Sequence, residues 1–378
     1  MIAARRGYDD PQLTFRGHEN WHGIEIHRVR SIQLGKKSRW RRVMTFASFL
    51  VSCVGRLLLT PRHDVVVALT SPPLISWLAS VFTRLKGGRL VFWVMDLNPD
   101  EAIAAGWLER DSLTSRLLSR LLLVSLRQAH TIVALDRFMK ARIVAKEIVP
   151  EKIEVVPPEP DPSMRFDREG REALRRRHCL NGKFVVMYAG NHSPCNPLDT
   201  LLDAAKLLKD RDDLLFLFVG GGSELDKVKE TAVKLNNIRW LPYQAPADLK
   251  ALLSAADLHA VVMGDAFKGI IHPSKIYNIL AVGAPFLFIG PTESHVADLI
   301  SILGTNGLGR HLHHGDVAEV AQSIIARAAE ASTRVRTTRT LSESAAPSRI
   351  VAIVEAAAAG VTPTRNLKAA ARASAAHS

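Results

Sequence analysis

The sequence predicts an α/β protein of two domains, the second a doubly wound parallel sheet. Three observations carry that reading. Between residues 184 and 300, short apolar runs alternate with amphipathic helical stretches, the pattern of a parallel sheet covered on both faces. Glycine-containing loops follow several of those runs, at the carboxyl edge where open parallel sheets bind their ligands. The chain has 378 residues, enough for two separate cores.

In chain order, the basic residues Lys36, Lys37, Arg39, Arg41 and Arg42 precede an apolar run from Val43 to Leu59. Interrupted by Arg56 and near the lower length limit for crossing a bilayer, that run reads as a helix. It either packs as an ordinary core helix or lies on an anionic membrane face, and one helix can do both with opposite sides. Leu90 to Met95 is a strand that ends at Asp96 and directs it into the cleft between the domains. Asp100 and Glu101 read as a helix cap and first-turn carboxylates.

The second half is more regular. Phe184 to Ala189 is a strand entering the loop Gly190-Asn191-His192-Ser193-Pro194, and a helix follows from about Leu198 to Leu208. The strand Leu214 to Val219 runs into Gly220-Gly221-Gly222-Ser223. A helix near Glu224 to Leu235, a strand Ile238 to Leu241, a helix Ala247 to Ala256 and a strand Leu258 to Met263 come next. The loops at Pro242-Tyr243-Gln244, around Lys268 and at Gly290 all fall on the same edge.

The segment from Ile270 to Val296 is the most informative. Pro273 and Ser274 read as the first positions of a helix with Lys275 in its first turn. A lysine there opposes the helix dipole, so its presence points to a bound anion. Gly283 and Pro285 end the helix, and Phe286 to Ile289 is the next strand. His192 and His272 are placed to donate to a diphosphate, while a helix-entry role for His272 is equally compatible with its position. His311, His313 and His314 read as solvated loop residues.

The net charge of +13 is the unusual compositional term, beside ordinary apolar and charged contents of 47% and 23%. Nucleic acid is argued against by the absence of a binding motif and by an aromatic content of only 6%. Cys53, Cys179 and Cys195 are widely spaced, which suggests a reducing compartment with no structural disulfide or zinc site.

The run YAGNHSPCNPLDTLLDAAKLL, then FLFVGGGSE, AADLHAVVM and HPSKIYNILAVGAPFLFIGP, resembles the C-terminal domain of family 4 (group 1) glycosyltransferases. DVVVALTSPPLISWLAS followed by RLVFWVMDLNPD resembles the branch that builds bacterial lipid-linked polysaccharides. The resemblance spans roughly residues 1 to 330. It implies the GT-B fold, two doubly wound Rossmann-like domains facing each other across a cleft: residues 1–165 on the acceptor side and 166–335 binding the nucleotide sugar. A helix in 336–360 would cross back to the first domain, ahead of a basic tail, 361–378, expected to be disordered. It implies transfer of a sugar from a nucleotide diphosphate to a lipid-linked or glycan acceptor, with retention and without a metal or other cofactor. The enzyme would be cytoplasmic, on the inner face of the plasma membrane. Two other classes remain open: a catalytically impaired scaffold, and a sugar-nucleotide epimerase of the same fold.

On this resemblance, Gly190, Asn191, His192, Gly221, Gly222, Tyr243, His272, Ser274, Lys275 and Asn278 would hold the donor. Lys275, helped by Lys268, would supply the charge, and Asp96 would meet the transferred sugar or the acceptor. The sequence departs from the family at two places. The family's two glutamates, eight positions apart, are replaced here by Ile270 and Asn278. The first glycine loop also lacks the usual Arg and Lys. At its start, Met1 to Ala4 reads as the end of a second strand, so a strand, a glycine loop and a helix, about 30 to 40 residues, are expected ahead of it. The chain as given is therefore expected to build an incomplete N-terminal sheet with little transferase activity.

Overall fold

The computed structural model describes residues 1–7, 13–32, 39–304, 307–331 and 346–361. The expected tail beyond 361, Lys36, Lys37 and the side chains of Arg39 and Arg42 lie outside the described residues.

The N-terminal half contains β1 (Ile2–Ala4), β2 (His18–Trp21), β3 (Ile24–Val29), α1 (Arg39–Leu59), β4 (Val65–Ala68), α2 (Ile75–Lys86), β5 (Arg89–Trp93), α3 (Asp100–Ala104), α4 (Leu113–Gln128), β6 (Thr131–Ala134), α5 (Arg137–Val144) and β7 (Ile153–Val155). Its strands fall into two sheets. One has the order β1-β3-β2, and the other is the parallel sheet β4-β5-β6-β7. Val91, Phe92, Ile132 and Val133 are buried in the second sheet, which is apolar because helices cover both of its faces.

The C-terminal half begins with α6 (Arg168–Arg177) and continues through β8 (Phe184–Asn191), α7 (Asp199–Leu207), β9 (Leu214–Gly221), α8 (Leu225–Lys234), β10 (Ile238–Leu241), α9 (Leu249–Ala255), β11 (Leu258–Val262), α10 (Lys275–Ala281), β12 (Phe286–Ile289), α11 (His295–Leu303), β13 (Gly309–Leu312) and α12 (Val317–Glu330). Its six strands are parallel in the order β10-β9-β8-β11-β12-β13. The chain winds outward from β8 to β10, then returns to place β11 on the other side of β8. The switch point therefore lies between the ends of β8 and β11, where ligands of open α/β sheets bind.

Buried ionic groups brace this domain. Asp257, just before β11, accepts from Arg171 Nη2 at 2.5 Å, Arg175 Nη1 at 3.0 Å and the Val185 amide at 2.8 Å. Burial raises the Asp257 pKa, but the two guanidiniums outweigh it and hold the carboxyl below its ordinary value. The pair of arginines so ties α6 to the sheet.

A final helix, α13 (Ala346–Ala359), returns to the N-terminal sheet. Its Ile353 and Ala357 pack with Val91, Val133 and Val156, and Arg89 Nη1 donates to the Ala357 and Ala358 carbonyls at 3.0 and 2.8 Å. Those carbonyls end the helix, where a cation is favoured.

α1 has two faces. Cys53 is buried, and Ser48 Oγ accepts from the Ile32 amide at 2.9 Å. On the other side, Trp40, Val43, Met44, Val51, Val54, Leu58 and Leu59 are exposed at helical spacing. Arg41 lies over the Trp40 ring at 5.7 Å. No helix among the described residues is long and apolar enough to cross a membrane.

Candidate functional site

The sheet ends bring the glycines and Lys275 together. Gly190 and Gly221, expected in loops, are the next-to-last residue of β8 and the last residue of β9, and still pair with Gly220 and Asn191 respectively. α10 begins at Lys275, with Ser274 exposed at its N-cap position and making no side-chain cap bond. The helix is only seven residues long, so its dipole is a small contributor.

Lys275 reaches back to the end of β8. Its Nζ lies 4.7 Å from the centre of the Tyr188 ring, and a Cβ built on Gly190 would fall within 1.8 Å of it. Only glycine leaves room for the ammonium there. Among the described residues Lys275 makes no ion pair, and burial lowers its pKa to about 8. An enclosed cation with only a π face for a partner is electrostatically incomplete, which suits it to an anionic ligand.

Gly222 is the second position that requires glycine. Its φ is +145°, and a Cβ would meet the His192 carbonyl oxygen at 2.0 Å and Asn191 Oδ1 at 2.6 Å. The His192 amide donates to the Gly221 carbonyl at 2.8 Å, and the Glu224 amide donates to the His192 carbonyl at 3.0 Å. Exposed Tyr243 lies over this turn and donates to the Gly221 carbonyl at 3.1 Å.

The structure places the other predicted phosphate ligands as follows. The His192 ring is fully buried, edge-on to Tyr188 at 5.2 Å, with neither nitrogen hydrogen-bonded among the described residues, and burial lowers its pKa. Its backbone shapes the turn. His272, by contrast, is no free donor, because both ring nitrogens are occupied, Nδ1 by Asp136 Oδ2 at 2.7 Å and Nε2 by the Tyr277 hydroxyl at 3.1 Å. Lys268 pairs with Glu293 instead of joining Lys275.

The two departures from the family pattern have structural roles. Ile270 is fully buried and packs into the core of the N-terminal domain, where its carbonyl accepts from the Leu97 amide at 2.9 Å. Burying an isoleucine is worth about 1.5–3 kcal/mol, so a glutamate there would forfeit an anchor between the domains. Asn278 Oδ1 accepts from the Asp161 amide at 3.2 Å and holds the segment that joins the two halves.

Asp96 lies beyond the end of β5, one residue before the Leu97 contact. Burial, then the charge of Glu101, push its pKa up to about 7. From the other side, Cys195 Sγ donates to Glu101 Oε1 at 3.8 Å, and burial followed by the Glu101 charge pushes the thiol up to about 12. The loop after β8 thus runs from the Lys275 ammonium at Gly190 to the carboxyls of the N-terminal domain at Cys195. Asp136 and Tyr277 were not anticipated from sequence; the only signal was an aspartate at a helix start.

Comparison with known proteins agrees with this architecture. Residues 2–159 match the glycosyl transferase 4-like domain, and residues 170–272 match the glycosyl transferases group 1 model. The chain is 26% identical over 275 residues to the probable glycosyltransferase WbjE of Pseudomonas aeruginosa, covering 70% of this chain and 66% of that protein. It is 25% identical over 256 residues to WcaI, a putative colanic acid biosynthesis glycosyl transferase of Escherichia coli strain K12, covering 65% and 62%. The matches thus span just under two thirds of each relative. The crystal structure of Anabaena Alr3699/HepE in complex with UDP and glucose superposes with a TM-score of 0.62 at 17% identity, covering 93% of this chain and 87% of that one. Two matched domains, in order, on a GT-B fold whose switch point carries the glycine edge and Lys275 identify the chain as a member of the group 1 glycosyltransferases.

Proposed function

We propose that the protein transfers a sugar from a UDP-sugar to a lipid-linked or glycan acceptor in cell-envelope polysaccharide synthesis, with retention of configuration. The carrying observation is the enclosed Lys275 ammonium, unpaired among the described residues and packed on Gly190 at the switch point. Departure of the nucleotide builds negative charge on its diphosphate, and a preorganised ammonium stabilises that charge without a metal or other cofactor. Backbone groups at Gly221 and Gly222, Asn191, Ser274 and the Tyr243 ring are the further donor contacts. Asp96, whose pKa burial and the Glu101 charge push up to about 7, is the group we assign to a sugar or acceptor hydroxyl. The relatives named for polysaccharide synthesis and the UDP-bound neighbour support this choice of donor and product.

Calorimetric titration with UDP tests the donor site. Binding with micromolar or tighter affinity is the expected outcome. A folded protein that fails to bind UDP favours the scaffold reading instead.

The exposed stripe of α1 supports a peripheral position on an anionic leaflet, with Trp40, Val43, Met44, Val51 and Leu58 entering the headgroup region beside Arg41. Each basic residue near the surface contributes about 1 kcal/mol, so co-sedimentation with anionic phospholipid vesicles is expected to fall steeply as salt rises. Replacing Lys36, Lys37, Arg39, Arg41 and Arg42 with Gln should release the protein. Binding that ignores both salt and these substitutions would exclude the membrane role.

A further inference from the structure

Asp136, His272, Tyr277 and His295 form a buried polar chain across the cleft. Asp136 stands in the N-terminal domain, two residues after the end of β6, where its Oδ1 caps α5 by accepting from the Met139 amide at 2.8 Å. The other three belong to the C-terminal domain. His272 Nδ1 lies 2.7 Å from Asp136 Oδ2, its Nε2 lies 3.1 Å from the Tyr277 hydroxyl, and that hydroxyl lies 2.6 Å from His295 Nε2. The side chains of His272 and Asp136 are 0% and 4% exposed.

Every link can be satisfied: His272 Nδ1–H donates to the Asp136 carboxylate, and the Tyr277 hydroxyl, which both donates and accepts, joins His272 Nε2 to His295 Nε2. At its His272–Asp136 end the network is shielded from water, and removing one member there strands its neighbour. Beside it, Arg137 donates to Asp298 through Nε at 2.6 Å and Nη2 at 2.8 Å, a second link between the domains.

The chain grips the Lys275 segment from both sides. His272 is three residues before Lys275 and Tyr277 two after it, yet their anchor is in the opposite domain. We propose that Asp136 is a positioning residue for donor turnover: through His272 and Tyr277 it ties the approach of the two domains to the placement of the Lys275 ammonium against the donor phosphates. The inference rests on the reading of Lys275 as the phosphate ligand. UDP bound to the C-terminal domain alone needs no anchor, whereas the assembled, catalytic arrangement does.

The test uses Asp136→Asn in the full chain, since asparagine keeps the helix cap while removing the charge. UDP affinity by calorimetry should stay within about threefold of wild type, as the variant leaves the glycine edge and Lys275 in place. In wild type, bound UDP should slow amide exchange in both 270–281 and 134–140. In Asp136→Asn, protection of 134–140 should fall at least about tenfold, and hydrolysis of the best-used UDP-sugar should lose kcat by a similar factor with KM little changed. Tyr277→Phe should act in the same direction, and the double variant should be no worse than Asp136→Asn alone. Wild-type protection and kcat in Asp136→Asn, with normal UDP binding, would overturn the proposal alone, as would a loss that merely tracks global unfolding. Failure of the wild type to bind UDP would overturn both this inference and the donor-site reading beneath it.

Discussion

Lys275→Ala is expected to weaken UDP binding by about 1.5–3 kcal/mol, roughly ten- to 150-fold, because a charge-assisted contact to phosphate is lost. The fold should survive, since the truncated side chain leaves a small void at Gly190 and removes an enclosed cation that has no ion-pair partner among the described residues. The pH dependence follows from the same burial. With its pKa lowered to about 8, Lys275 is an ammonium at neutral pH and loses its proton as pH rises through that value. Affinity for UDP should therefore hold up to about pH 7 and decline above about pH 8, and binding should be accompanied by proton uptake in that window, because the anion favours the charged form. Calorimetry in two buffers of different ionisation enthalpy reads both quantities. Equal affinity in Lys275→Ala and wild type would remove Lys275 from the donor site.

Gly222→Ala is expected to cost stability and binding together. At φ +145° an L side chain is strained by about 1–3 kcal/mol, and the new Cβ would stand 2.0 Å from the His192 carbonyl oxygen. That carbonyl is held by the Glu224 amide, so relief requires the turn to move, adding about 1–3 kcal/mol of overpacking. A loss of about 2–6 kcal/mol should appear as a lower urea midpoint, with a weaker UDP complex in the protein that remains folded. Gly17→Ala, where a Cβ meets nothing within 4 Å, is the control and should change neither. A Gly222→Ala protein as stable as wild type would show that the turn is slack and that its glycine is not required by packing.

The arrangement also accounts for a family position that lost its charge. In place of the first acidic residue, Ile270 enters the core of the other domain, so this chain uses the loop after β11 for holding its domains together. On the proposed reading the phosphate-binding task falls to Lys275, five residues further on. The two roles would then sit on one short segment, the one that Asp136 and His272 brace.

The sequence by itself determined the fold class and the order of strands and helices from residue 184 to 289, and it singled out Lys275 as a candidate. Periodicity and glycine placement are local properties, and the pattern from Phe184 to Ile289 repeats them without interruption. The two-sided character of α1 was also legible, because Trp40, Val43, Met44, Val51 and Leu58 recur at helical spacing. Side-chain direction was not. Whether His192 and His272 face a ligand or a core depends on which distant residues fill the space beside them: Tyr188 and Phe218 enclose one, Asp136 and Tyr277 pair with the other. The packing of Lys275 on Gly190, 85 positions apart, follows from the switch point that sets β11 beside β8. Tertiary structure alone decided these contacts, because hydrogen bonds and close approaches across a sheet or between domains leave no periodic trace in the chain that makes them.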